Sequence, residues 1–293
     1  MKALIIAEHA AAAAELVAGA RTMADEVVAI SFGGAYECGA DKVLNITVPE
    51  GLTVDSAVET VNAAFDAENP EVVLVEACRH MKVIAGSLAF HADTAVITDV
   101  TAFEAGGAKS MYFGGIAERV QKAAGNVAIY TVGAGVFDGA EGANGSVAEQ
   151  EWVAPARPVK VVSSQVIEKS GVNLFKADVV VAAGRGFAEE SQLSLANDLC
   201  DKLGAGLACS RPLTEGVNWL PTERYVGVSG LMLTPKVYIA AGISGQMQHM
   251  VGCNRSGAIF AINKDKNAPI FKQCDFGLIG DIKDVLPAIT AAL

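Results

Sequence analysis

Short apolar runs alternate along this chain with longer stretches in which apolar residues recur every three or four positions. Runs at residues 3–7, 26–31 and 72–75 predict strands, and the stretches 10–23, 54–67 and 79–91 predict helices. Further strands are expected at 95–98, 109–113 and 126–132. This alternation predicts βαβ units and a mostly parallel sheet, in a first domain complete near residue 150. A glycine-rich stretch at 133–145 then leads into residues 151–160, where Pro155 and Pro158 favour an extended backbone. Past Leu174 a second pattern begins, with a strand at 177–184 and a helix at 189–203, so a domain boundary is expected near residue 170.

The second pattern carries polar residues at the ends of its strands. Gly184-Arg-Gly186 follows the first strand, and Cys209-Ser210-Arg211 and Val226-Gly-Val-Ser-Gly230 follow in order. The richest segment is Val237 to Met250, an apolar strand that runs through Gly242, Ser244 and Gly245 into Gln248 and His249. A strand, a tight turn and a helix start place backbone N–H groups where a phosphate-bearing cofactor can use them. Residues 258–265 form another apolar strand that ends in polar residues. Gly184-Arg-Gly186 alone is a fragment of the dinucleotide fingerprint and decides little, whereas four polar strand ends in one domain point to a ligand crevice.

Composition narrows the classes. A chain of 293 residues is expected to form about two domains. Its 52% hydrophobic and 19% charged residues suit packed cores rather than disorder. A net charge of −11 argues against a nucleic-acid partner. Cys38, Cys78, Cys200, Cys209, Cys253 and Cys274 are scattered, with no C-x-x-C pair and no histidine at ligand spacing, so neither a metal site nor a disulfide framework is expected. No run approaches a membrane span or a signal peptide, and a reduced cytoplasm fits these features.

Gly184-Arg-Gly186, Ser210-Arg211, Gly242-Ile-Ser-Gly-Gln-Met-Gln-His249, Ala261-Ile-Asn-Lys-Asp265, Ala268-Pro-Ile-Phe271 and Asp275-Phe-Gly-Leu-Ile-Gly-Asp281 together resemble the FAD-binding domain of the electron transfer flavoprotein α subunit. The likeness covers roughly residues 178–290, and Met111-Tyr-Phe-Gly-Gly115 extends it more loosely into the first half. Cys209-Ser-Arg-Pro212, Arg224-Tyr-Val-Gly-Val-Ser-Gly230 and Gln248-His-Met-Val-Gly252 are most similar to the bacterial Fix branch, linked to carnitine reduction or to supplying low-potential electrons. The expected fold is α/β in two domains. Residues 1–170 form an adenine-nucleotide-hydrolase-like parallel-sheet domain that packs on a β subunit, and residues 171–293 a doubly wound FAD-binding domain.

The resemblance implies roles for single residues. Arg211 is a permanent cation beside the isoalloxazine, which would raise the flavin potential. Ser229 matches the hydroxyl that bonds flavin N5, and His249 the imidazole near the flavin O2 carbonyl. Ser244, Gly245 and Gln246, at the start of a helix, would supply donors to the pyrophosphate or the flavin edge. Asn263 and Asp281 match positions that reach the ribityl and adenosine side, and Asp281 is equally suited to cap the last helix. Arg185, Ser210, Val226, Gly227, Val228, Gly242, Met247, Gln248 and Ile282 complete the expected FAD contacts. Where the mitochondrial pattern has glutamine before the N5-bonding residue and lysine two residues after it, this chain has Val228 and Leu231.

By resemblance, the chain carries electrons rather than turning over a substrate, and no catalytic residue is expected. It pairs with a β subunit that holds AMP or a second FAD, and bifurcating activity would need that subunit. Its redox partners would be an acyl-CoA dehydrogenase or CoA-ester reductase on one side and a quinone- or ferredoxin-linked oxidoreductase on the other. Two other readings stay open at this point. A stand-alone nicotinamide dehydrogenase should show a complete G-x-G-x-x-G and a placed acid or base, and a nucleotide-binding regulatory module should be colourless.

Overall fold

The computed structural model describes residues 1–139, 142–165 and 172–293. The chain divides into two compact units, Met1–Tyr112 with Ala117–Val166, and Phe113–Ile116 with Ile167–Leu293. The boundary expected at residue 170 lies outside the described residues.

The first unit is built on β1 (Lys2–Ile6), β2 (Glu26–Phe32), β3 (Lys42–Ile46), β4 (Val72–Glu76), β5 (Val96–Glu104), β6 (Gly107–Tyr112), β7 (Ala117–Gln121), β8 (Ala128–Val132) and β9 (Ser146–Glu149). They form one sheet in the order β7-β6-β5-β8-β4-β1-β2-β3-β9. Only the pairs β5–β6 and β6–β7 are antiparallel. Continuous burial from Ala3 to Ile6 reflects a strand covered on both faces. Ala3 and Ile5 pack with Ala13, Leu16 and Val17 of α1 (Ala10–Ala20). Leu4 and Ile6 pack with Val61 and Ala64 of α2 (Val58–Glu68) and with Met81, Ile84 and Leu88 of α3 (Arg79–His91).

Three expectations are corrected here. The run at 95–98 is the start of a longer strand that turns into a hairpin, and residues 109–113 form its return rather than a further parallel strand. Residues 150–161 belong to the first unit, which does not end near 150. Trp152 packs on the α2–α3 side of the core, Val153 N–H donates to Thr60, and Thr53 N–H donates to the Val159 carbonyl. β3, β7 and β9 were not expected, and β7 and β9 lie at the two edges of the sheet.

The second unit holds β10 (Val179–Ala183), β11 (Gly206–Cys209), β12 (Val237–Ala241), β13 (Ala258–Asn263) and β14 (Phe276–Ile279). All pair in parallel, in the order β11-β10-β12-β13-β14. α4 (Leu193–Leu203), α5 (Pro212–Glu215) and α7 (Ile282–Ala292) cover one face, where Leu199, Leu213 and Leu286 meet Val181, Ala183 and Ile262. The other face, with Val180, Ala182, Tyr238 and Ala240, lies under α6 (Met247–Met250) and irregular segments that supply Val226, Leu233 and Ile270. α4 ends on Gly204 at φ 62, and Asp281 caps α7 by accepting the Lys283 N–H. β14 is an edge strand whose four residues are exposed, and Phe276 stacks on Phe260 with ring centroids 4.8 Å apart.

Candidate functional site

The second unit reverses its strand order at β10, with β11 on one side and β12 on the other, so the loops leaving β10 and β12 diverge at their carboxyl ends. A cleft of about 640 Å³ opens there, within the size range of small-molecule sites. Four of the five strand ends contribute to it. Arg185 and Gly186 come from β10, Ser210, Arg211 and Pro212 from β11, Gly242 to Ser244, Gln246, Gln248 and His249 from the segment after β12, and Asn263 and Asp265 from β13.

The glycines are set by a back-to-back approach of the β10 and β12 loops. A methyl group on Gly184 would collide with the Gly242 carbonyl, and one on Gly186 would sit 2.6 Å from the Gly242 Cα. Gly242 is at φ 65, and its N–H bonds the Ile262 carbonyl at 2.8 Å while its carbonyl accepts from Gly186 at 2.9 Å. Two bonds from Asn263 fix the next loop: Nδ2 donates to the Ile243 carbonyl and Oδ1 accepts the Asp265 N–H, both at 2.9 Å.

His249 is the buried polar group of the site. Its Nε2 lies 3.0 Å from the hydroxyl of Tyr238, which is fully buried, and its Nδ1 has no hydrogen-bond partner. Burial pushes the imidazole down to about 4. An interaction with the Val226 backbone opposes that shift in part. Burial also raises the Tyr238 phenol well above its ordinary value. At neutral pH both groups are uncharged. With the phenol O–H donating to Nε2, the ring proton resides on Nδ1.

Arg211 lines the cleft with a largely exposed side chain, and its Nε donates to Glu215 at 2.6 Å, one turn along α5. That contact raises the guanidinium further and keeps it charged. Tyr225 also lines the cleft, and its hydroxyl is 3.2 Å from Ser229 Oγ.

Of the residues expected to bind, Arg185, Ser210, Arg211, Val228, Gly242, Ser244, Gln246, Gln248, His249 and Asn263 line this one cleft. Val226, Gly227, Ser229, Gly245, Met247, Asp281 and Ile282 do not line it. Val226 and Ile282 are core residues, and Asp281 is engaged as the cap of α7. The helix start expected at Ser244–Gln246 is a single turn, α6, with Gln246 at its N-cap, so its dipole adds little. Tyr225, Ile243, Asp265 and Pro269 line the cleft without having been singled out. Tyr225 stood inside a quoted motif, whereas its pairing with Ser229 depends on the loop's path.

Residues 3–157 match the family model described as "Electron transfer flavoprotein domain", and residues 173–254 match "Electron transfer flavoprotein FAD-binding domain". The second match spans most of the cleft and stops before Asn263 and Asp265. The chain is 39% identical over 293 residues to Protein FixB of Escherichia coli O157:H7, covering 95% of this chain and 94% of that protein. It is 40% identical over 296 residues to Protein FixB of Salmonella agona (strain SL483), with the same coverage. The chain belongs to the electron transfer flavoprotein α-subunit family, and its C-terminal unit is the FAD-binding domain of that family.

Proposed function

We propose that this chain is the FAD-holding half of a cytoplasmic heterodimer that relays electrons between two flavoenzyme systems, with the flavin in the cleft at the β10–β12 switch point. The observation that carries this reading is the cleft itself. It combines a glycine floor with no room for side chains, a permanent cation at Arg211, and a buried imidazole whose Nδ1 lacks a partner. These residues fit the cofactor, because an anionic pyrophosphate and a ring that gains negative charge need close backbone, donors and a cation.

Bound FAD supplies one- and two-electron redox chemistry. The chain's own residues hold and tune it. Gly186 and Gly242 let the backbone approach closely, and Arg185, Ser210, Ser244 and Gln246 offer donors around the pyrophosphate and ring edge. Arg211 stabilises added negative charge, and His249 donates from Nδ1 as a neutral imidazole. Asn263 holds the β12 and β13 loops in register. Ser229, whose Oγ lies 3.2 Å from the hydroxyl of the cleft-lining Tyr225, would offer a hydroxyl to flavin N5. Among the described residues lining the cleft, Asp265 is the one carboxylate, and no nucleophile is paired with a base there.

The partner is a β subunit that holds AMP or a second FAD, and electron bifurcation would require that subunit. The redox partners are an acyl-CoA dehydrogenase or CoA-ester reductase and a quinone- or ferredoxin-linked oxidoreductase, in fatty-acid β-oxidation or carnitine metabolism. The test is stopped-flow mixing of the reduced, co-purified pair with such flavoenzymes. Rapid flavin reoxidation only when a partner enzyme is present is the expected result. Turnover of a small organic substrate by the pair alone would overturn the carrier reading.

A further inference from the structure

The first unit has its own switch point, between β1 and β4, and the side chains gathered there are of metal-ligating types rather than a glycine loop. β2 lies on one side of β1 and β4 on the other, so the chain leaving these two strands diverges at their carboxyl ends. Glu8 and His9 follow β1, Glu76 ends β4, and Cys78 and His80 follow it. Ligand atoms of Glu8, His9 and Cys78 all lie within 4.8 Å of one another. Glu8 Oε2 is 3.3 Å from the Cys78 sulfur, and His80 Nδ1 is 2.9 and 3.0 Å from the two Glu8 oxygens. A tetrahedral zinc site with bonds of about 2.0 Å to oxygen and 2.3 Å to sulfur spaces those two ligands about 3.5 Å apart.

The surroundings orient these groups. Glu76 Oε2 accepts the backbone N–H groups of Glu8 at 2.8 Å and His9 at 3.1 Å, and Oε1 meets His9 Nδ1 at 2.7 Å. With Nδ1 tied to a carboxylate, Nε2 is the ring atom left for a metal, which is the carboxylate–histidine arrangement that aims metal-bound imidazoles. His9 and Cys78 are the N-cap residues of α1 and α3, and neither side chain makes a capping bond. An anion is disfavoured here, because Glu76 already occupies the N–H groups that would bind it. The charge of Glu8 and of a Cys78 thiolate instead balances a divalent cation.

We propose that Glu8, His9 and Cys78 bind one zinc-class divalent cation at the β1–β4 switch point and clamp the two loops together, with water as the fourth ligand and His80 holding the Glu8 carboxylate. Binding forms a metal–sulfur bond and releases the Cys78 thiol proton to solvent. The site lies outside the FAD cleft and does not depend on the electron-carrier reading.

The test uses the full-length chain, stripped with a chelator and titrated with Co²⁺ as a visible stand-in for Zn²⁺. One Co²⁺ per chain is expected, with a thiolate-to-metal charge-transfer band and tetrahedral ligand-field bands to the red of flavin absorption, both displaced by Zn²⁺. Cys78→Ser should abolish the charge-transfer band, and Glu76→Gln should weaken binding roughly 10-fold or more. Absence of a thiolate band in the wild type, or its persistence in Cys78→Ser, overturns the proposal. Should Cys78→Ser fail to fold, the wild-type titration decides by itself.

Discussion

The Tyr238 hydroxyl and His249 Nε2 meet at 3.0 Å with both side chains buried, across eleven residues of chain. Tyr238 faces the core from within β12, while His249 lies after the glycine turn and lines the cleft. The phenol thus reaches the imidazole from the core side, and as the donor in this contact it would place the ring proton on Nδ1.

Tyr238→Phe should leave Nε2 buried without a partner and destabilise the protein by about 1–3 kcal/mol. Denaturant unfolding measures that loss. Nitrogen NMR of the imidazole should show one Nδ1-protonated tautomer in the wild type and a mixture in the variant. An unmixed tautomer in the variant would show that Tyr238 does not set it.

Stability should depend on acid through His249. Its folded value, about 4, lies below the ordinary 6.5, so below pH 6.5 the unfolded chain binds the proton that the folded chain refuses. The stabilisation is complete above pH 6.5 and is lost as pH falls toward 4, a change of about 3 kcal/mol. His249→Asn should flatten that part of the stability–pH curve of the FAD-free protein. An unchanged slope between pH 6.5 and 4 contradicts the assignment.

Arg211→Ala should lower the one-electron flavin potential by on the order of 60 mV, a tenfold change in the equilibrium. Glu215→Gln should move it the other way, because Glu215 holds the guanidinium at 2.6 Å and offsets its charge. Spectroelectrochemistry of both variants is the measurement, and shifts of the same sign would refute the pairing of these two charges over the flavin.

Gly242→Ala should strip the cofactor. The position is at φ 65, and the added methyl would lie 2.8 Å from the Gly186 Cα, so the two loops must separate. The backbone conformation alone costs about 1–2 kcal/mol for a residue with a Cβ. The ratio of flavin to protein after gel filtration reports the effect, and a full complement of FAD in the variant would reject the tight floor.

Much of this architecture was legible because buried parallel strands read as continuous apolar runs, as in Val179–Ala183, and α3 starts and stops where its periodicity does. β7 and β9 were not legible. They are edge strands, and Glu118, Arg119 and the wholly exposed Ser146–Glu149 carry too few apolar residues to give a strand signal. β5 was cut short because its register shifts near Asp99, which sits at φ 53. In the site, strand-end motifs gave ten residues that line one cleft. The Tyr238–His249 contact was hidden because it depends on which face of β12 a residue occupies. The Glu8–Cys78 cluster was hidden because its members are seventy residues apart and only strand order joins them.

The outer side of β14 has a practical meaning for anyone handling this chain. Phe276-Gly-Leu-Ile279 has no charge within it, and its free edge presents main-chain groups that another strand can use. Asp275 and Asp281 stand at its two ends, where acidic residues discourage strand-to-strand stacking between molecules. Self-association at high concentration is therefore expected to begin along this edge, and because Asp275 also accepts the Ile259 N–H and Asp281 the Lys283 N–H, neutralising either should lower the melting temperature as well as raise turbidity.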